Sequence, residues 1–207
     1  TTRSVTLTDA GARYLERARR ILADVGEAEA AVEAERTAPS GRLVVAAPLA
    51  FGRLHVAPLV TGFLRAWPAV TAELVLADRR VSLVEDGVDV AVRIGALDDS
   101  TLIARAIGAT RRVVVGSPAY LAARRPPRGP DDLARHQLVQ FSGLGALPEW
   151  RFVRAGDERR VAITPTLISN SAEAAIGHAL AGGGLTMALA YQVADAVRAG
   201  RLRIVLA

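Results

Sequence analysis

His55, His136 and His178 are the side chains of this sequence that could shuttle protons or hold a transition metal, and they lie far apart in the chain. They form neither a His-x-x-x-His pair nor the HExxH spacing that puts two imidazoles on one helix face. Cysteine is absent, which excludes thiolate catalysis, disulfides and Cys-ligated zinc. Gly116-Ser117-Pro118 does not match the Gly-x-Ser-x-Gly turn that presents a nucleophilic serine. Gly182-Gly183-Gly184 lacks the following Lys-Ser/Thr of a phosphate loop and reads as a helix C-cap with a tight turn. Glu85 and Asp86 are adjacent acids on an expected surface helix, where solvation accounts for them. The residues therefore offer no catalytic set, no metal site and no cofactor motif.

They do offer a place to bind. Ligands of open α/β lobes sit beyond the carboxyl ends of the strands. Pro48, Leu49 and Ala50 follow one expected strand, Asp78 a second and Arg93 a third. From a second half of the chain come Phe141 at one strand end, and Asn170 and Ser171 at another. Asn170 and Ser171 open a helix, whose free N–H groups attract anions. Arg79 and Arg93 would add charge-assisted bonds to a carboxylate. Each of these is also an ordinary loop or cap residue; together, on facing edges of two lobes, they favour a cleft.

The elements that must carry these residues follow from periodicity. Arg42 to Ala47, Val70 to Leu76 and Asp89 to Ile94 read as strands. Between them lie a loop at Pro48 to Gly52, a helix through Val56 to Trp67 with an awkward Pro58, and a short helix at Val81 to Asp86 closed by Gly87. The β-α-β-α-β order implies a parallel sheet with helical crossovers. Leu102 to Gly108 and Arg111 to Gly116 read as a pair of strands joining the two halves. The pattern then repeats: a helix after Ser117, strands at Gln137 to Phe141 and Leu167 to Ser169, a hairpin around Gly156-Asp157, a helix at Ser171 to Leu180, a buried strand at Leu185 to Leu189, a helix at Tyr191 to Arg198 and a strand at Leu202 to Leu206. The expected fold class is α/β with two lobes.

Ahead of the lobes stands a different element. Thr8 is a good N-cap with Asp9 in the first turn, and no proline interrupts the chain until after Arg36. Tyr14, Ala18, Ile21, Val25, Ala28 and Val32 alternate four and three apart, the spacing of a coiled-coil seam. Such a helix is about 40 Å long at 1.5 Å per residue. Arg13, Arg17, Arg19 and Arg20 crowd its first half, and Asp24, Glu27, Glu29, Glu33 and Glu35 its second. That order opposes the helix dipole but suits an antiparallel second copy; the alternative is a solvated helix lying on its own domain. Thr37 to Gly41 reads as a hinge.

At 207 residues and 51% hydrophobic, the chain can bury one large core or two smaller ones. Its net charge is +5 and all its basic residues are Arg, scattered or paired with acids instead of forming one stripe. No apolar run reaches the roughly 18 residues needed to cross a bilayer, and no signal peptide opens the sequence, which fits a cytoplasmic protein.

RSVTLTDAG followed by ARYLERARRIL, GRLVVAAPLAFGRLHVAPLV, VEDGVDVAVRIG and ISNSAEAAIGHALAGGGLTMALA together resemble the LysR-type transcriptional regulators. The resemblance runs the length of the chain. It implies the tail of a winged helix-turn-helix over residues 1–8, a linker and dimerisation helix over 9–36, and a two-lobed effector domain of the type 2 periplasmic-binding-protein-like fold. Lobe I would span 42–115 and lobe II 116–207. A DNA-reading unit would precede residue 1, and a segment returning to lobe I would follow residue 207. Carried over by position, the effector pocket comprises Pro48, Leu49, Ala50, Asp78, Arg93, Phe141, Asn170 and Ser171. The implied partners are DNA, a small-molecule effector such as an organic acid, and further copies of the chain as a dimer or tetramer. Two departures from the family pattern, Ser171 and Ala190, leave the effector open. The rival is an extracytoplasmic solute-binding protein of the same fold.

Overall fold

A computed structural model describes residues 8, 10–11, 14–15, 17–19, 21–22, 24–25, 38–78, 83, 86–97, 102–145, 147–154 and 156–206. The chain falls into two compact units, residues 1–43 with 60–73 and residues 44–59 with 74–207.

In the first unit, the described residues between Ala10 and Val25 are helical. Thr8 Oγ1 accepts from the Gly11 N–H at 3.1 Å, the N-cap its position predicts. On the seam, Tyr14 is 77% and Ile21 63% exposed, and Val25 is exposed too. Ala18 is half-buried. Ala28, Val32 and most of the segregated charges lie outside the described residues. Further along, Arg42 pairs with Glu73, and the Gly41 N–H donates to Ala69 O at 3.0 Å.

A three-stranded sheet of order β2-β1-β3 is built from β1 (Gly41–Ala47), β2 (Val70–Leu76) and β3 (Val90–Ala91). β1 and β3 are parallel, with Val45 opposite Val90 and Ala46 opposite Ala91. Asp89 and Val92 extend the ladder by donating to Val44 O and Ala46 O, so the strand expected at 89–94 exists in shortened form. Of Pro48 to Gly52, expected as a loop, all but the extended Pro48 is helical instead. Helix α1 runs without a break through Leu49–Phe51, a π turn at Gly52–Val56 and Ala57–Ala66. Two physical reasons account for this. Pro48 sits just before the first turn, where a missing N–H costs nothing. Gly52 meets β2: a Cβ there would lie 2.3 Å from Leu76 Cδ2, so glycine is a close-approach residue, not a loop residue. The π turn also accommodates Pro58. Ala57 N–H reaches back to Gly52 O, which widens the helix immediately before the residue that has no N–H to give. Gly87 has φ +59° and the Val88 N–H bonds to Leu83 O at 2.8 Å, a tight turn at the place expected to close a helix at 81–86; residues 81, 82, 84 and 85 lie outside the described residues.

The second sheet has order β10-β4-β9-β5-β8. Its strands are β4 (Arg112–Gly116), β5 (Leu138–Phe141), β8 (Leu167–Ser169), β9 (Leu185–Leu189) and β10 (Arg203–Leu206). β5 is parallel to β8 and β9, whereas β4 is antiparallel to β9 and β10. Both faces are covered, so its strands read as continuous apolar runs. Alternation along β4 assigns the layers. Val114 joins Tyr120, Leu133, Leu138, Trp150 and Met187 on one side, and Val113 and Val115 join Ala179, Val193 and Leu202 on the other. The covering helices are α2 (Pro118–Ala123), a 3-10 helix at Pro130–Arg135, α3 (Ala172–Leu180) and α4 (Ala190–Arg198). The expected hairpin is β6 (Glu149–Arg154) with β7 (Asp157–Ala162).

Two expectations need correction. β4, which straddles the division expected at 115/116, belongs whole to the second sheet. The strand expected at Leu102 to Gly108 does not form: its described residues join no sheet, and Ile103 is fully exposed. Its β-branched residues favour extended backbone, but a strand exists only where a ladder partner does.

Candidate functional site

The sequence nominated Pro48 to Ala50 as a strand-end loop and Asn170 with Ser171 as a helix start, and in the structure both segments lie at helix starts. At the first, Pro48 has extended backbone, φ −57° and ψ 140°, and brings no side-chain cap to α1. Asp78, at the end of β2, does so from a distance: its Oδ1 accepts from the Leu49 N–H at 3.0 Å. A carboxylate there also opposes the partial positive charge of the helix start. Pro48 O meanwhile accepts from the Gly52 N–H at 2.7 Å. Ala50 is buried beneath this turn, and Leu49 is exposed on it. Asp78 thus has a structural duty within the candidate pocket, holding the end of β2 to the start of α1.

At the second start, the cap is local. Ser171 Oγ accepts from the Ala174 N–H at 3.2 Å. Ser169 Oγ accepts from the Ser171 N–H at 3.1 Å, and Ser142 Oγ donates to Ser169 O at 3.4 Å. The serine chain ties the ends of β5 and β8 together, which fixes where α3 begins. Asn170 is exposed at the tip of this turn. Phe141 is different: it is 6% exposed, packed with Val139, Ala172 and Ala175. It serves as wall and support, and what the end of β5 offers a ligand is chiefly the Ser142 backbone and hydroxyl.

The two helix starts meet. Arg53, in the π turn of α1, forms an ion pair with Glu173 in the first turn of α3, Nη2 to Oε1 at 2.7 Å. Beside it, three rings from the two sheets pack together. Phe51 lies edge-on to Tyr191 at 5.4 Å between centroids, His55 lies 4.8 Å from Phe51, and His55 is 5.8 Å from Tyr191. Tyr191 is the second residue of α4, at the carboxyl end of β9. Its burial, and then the Asp78 charge, push its hydroxyl above the ordinary tyrosine range, and a hydrogen bond to Gln192 pulls weakly the other way.

The structure therefore brings Pro48, Leu49 and Asp78 into one hydrogen-bonded group, with Ala50 beneath it, and places Ser171 with Asn170 at the facing helix start. Arg93 is exposed two residues beyond β3. Sequence reasoning passed over Phe51, Arg53, His55, Glu173 and Tyr191, which make the contacts between the two sheets. One signal was available: Tyr191 follows the carboxyl end of a buried strand, the same rule that nominated Pro48. Among the described residues no cluster of His, Asp and Glu could hold a metal ion. Nor is any described helix long and apolar enough to cross a membrane.

Comparison with known proteins bears on the family and the fold. The LysR substrate binding domain matches residues 36–207. An HTH-type transcriptional regulator of Haemophilus influenzae is 32% identical over 98% of this chain and 70% of its own length. The HTH-type transcriptional regulator CrgA of Neisseria meningitidis serogroup C is 34% identical over 98% of this chain and 67% of its own. A Xanthomonas campestris HTH-type regulator is 32% identical, and the chain spans 61% of its length. Among solved structures, CrgA, described as a LysR-type transcriptional regulator, superposes with a TM-score of 0.73 at 34% identity, over 100% of this chain and 70% of that one. The Vibrio cholerae virulence activator AphB shares the fold with a TM-score of 0.75 at 24% identity.

Proposed function

The chain belongs to the LysR family of transcriptional regulators, and on that premise we propose that it is the sensing part of a DNA-binding regulator whose effector sits between its two sheets. The observation that carries this reading is the joint between the sheets. A half-exposed ion pair, Arg53 to Glu173, and one cluster of rings are contacts that can break and reform at small cost. A ligand bridging the starts of α1 and α3 would bind one arrangement of that joint better than another, and only such a difference shifts an equilibrium. Arg53 at the joint and the exposed Arg93 beyond β3 suit a small organic acid. The leading helix, with Tyr14, Ile21 and Val25 exposed along one face, supports pairing with a second copy, extended by Ala18, Ala28 and Val32. DNA would be read by a helix-turn-helix outside this chain, which implies a cytoplasmic protein that assembles as a homo-oligomer.

Thermal-shift screening of the full-length regulator against small organic acids tests this. A bound effector raises the apparent melting temperature by mass action, and the same acid is expected to alter the spacing or length of protected operator DNA. Arg53→Gln should weaken the shift for that acid at least fivefold in concentration. An acid that binds with unchanged affinity in both Arg53→Gln and Ser171→Ala would place the effector elsewhere.

A further inference from the structure

We propose a second ligand site, separate from the joint between the sheets: an Arg-lined hollow on the second sheet's outer layer that takes a small organic phosphate carrying two or more negative charges. It is formed by the end of α2, the 124–130 loop and the 3-10 helix. Arg124, Arg125, Arg128 and Arg135 line a hollow of about 430 Å³ with His136 and a single carboxylate, Asp132. That volume falls within the 300 to 1,000 Å³ typical of small-ligand sites.

The acids nearby do not neutralise it. Asp132 Oδ2 accepts from the Arg128 backbone N–H at 2.8 Å, and that bond is the main reason its carboxyl lies below the ordinary range. Its contact with the Arg135 guanidinium is loose, 3.9 Å. Asp131, one residue earlier, is drawn off to Arg159 on β7. Four arginines thus line a hollow whose one acid is already holding the loop. Such a concentration of one charge costs repulsion unless an anion relieves it, and a concave surface focuses the field on whatever enters.

The walls are also pre-formed. Pro127 is buried, and Pro126 and Pro130 restrict the loop on either side. Arg124 is stacked over the Tyr120 ring at 5.6 Å. Tyr120 in turn accepts from the Gln137 N–H at 2.9 Å and meets His136 Nδ1 at 3.2 Å. His136 beside it is kept below its ordinary pKa by burial and then by the Arg124 charge, against a smaller upward pull from Asp132. Guanidinium forks match phosphate oxygens two at a time, and the ordering of the loop backbone and of Arg124 precedes binding. A concavity of this size admits a diphosphate, whereas duplex DNA, far wider, meets only the rim.

Calorimetric titration of the full-length protein with inorganic pyrophosphate at low ionic strength tests the site. One saturable site is expected, with affinity at least tenfold weaker in the Arg125→Gln, Arg128→Gln double variant and unchanged in Arg53→Gln. Both variants should melt within a degree or two of the parent, because these are exposed side chains. Affinity should fall as salt is raised. The absence of saturable binding, or equal affinity in the double variant, overturns the proposal. Displacement of pyrophosphate by duplex DNA lacking an operator overturns it too, since it would mark the rim as a polynucleotide surface. None of these outcomes touches the effector reading, which stands or falls on the joint.

Discussion

Helices α1 and α3 begin on facing sides of the same joint and are capped by opposite means. Ser171 stands directly before α3, and its Oγ accepts from the Ala174 N–H of that same helix. α1 has Pro48 in the equivalent place and borrows Asp78, 29 residues further along, from the end of another strand. The first arrangement is settled by neighbours in sequence and survives wherever the helix goes. The second holds only while β2 and α1 keep their places. The start of α1 is therefore the side of the joint that tertiary movement can loosen, and α3 is the side that stays.

That contrast is sharpest at the far end of α3, where local chemistry is strictest. Gly183 N–H bonds to His178 O at 2.9 Å and Gly182 N–H to Ala179 O at 3.1 Å, the paired bonds of a Schellman cap. Gly184 follows with φ +137°, and a Cβ on it would lie 2.4 Å from Gln137 O. Gly184→Ala must shift buried backbone on β5 or β9, and is expected to cost roughly 3 kcal/mol or more by urea unfolding. A loss under about 1 kcal/mol would mean that the α3 side is as pliable as the α1 side.

The caps themselves come next. Ser171→Ala is expected to cost about 1 kcal/mol, and Asp78→Ala about 1 to 2 kcal/mol, the worth of a charged acceptor on a helix start, reduced by its exposure. The totals are similar, so hydrogen exchange separates them. Asp78→Ala should speed exchange across Leu49 to Val56 and leave α3 unchanged; Ser171→Ala should act on the first turn of α3 alone. Accelerated exchange in both helices from either variant would show that the two starts open as one unit.

This difference also explains what was legible in the sequence. Most strands of both sheets were visible within a residue or two, because a doubly covered sheet writes itself as apolar runs such as Val113 to Val115 and Leu185 to Leu189. The Ser171 cap, the Gly87 turn and the glycine trio were visible because each acts within a few residues. The role of Asp78 was not, since its partner is 29 positions away and an aspartate after a strand looks the same whether it waits for a ligand or caps a helix. The same distance hid Arg53 with Glu173, 120 positions apart. Leu102 to Gly108 failed in the opposite direction: its composition promises a strand, but no described partner pairs with it.

Arg53→Gln and Glu173→Gln each remove an exposed ion pair, so each should change stability by less than about 1 kcal/mol. Their coupling in a double-mutant cycle is the informative quantity. Coupling of a few tenths of a kcal/mol that vanishes at high salt fits a contact made to be broken. Coupling that persists in high salt would make the joint a fixed strut and the α1 side no looser than α3.

The smallest effect reads the same joint through one proton. Tyr191 is held above the ordinary tyrosine range by burial first and by the Asp78 charge second. A tyrosine whose folded pKa is raised contributes stability that is complete below its unfolded pKa, about 10, and is lost as pH climbs through the folded value. Asp78→Asn removes the second cause and leaves the first, so the alkaline loss of stability due to this group should be smaller and complete at slightly lower pH. Tyrosinate absorbance, with Tyr191→Phe to assign the signal among the three tyrosines, should show the Tyr191 step moving down. Asp78 thereby reports on both halves of the joint, through the cap on one side and the phenol on the other. If the Tyr191 step does not move, Asp78 serves the start of α1 alone, and the link between its cap and the facing sheet is lost.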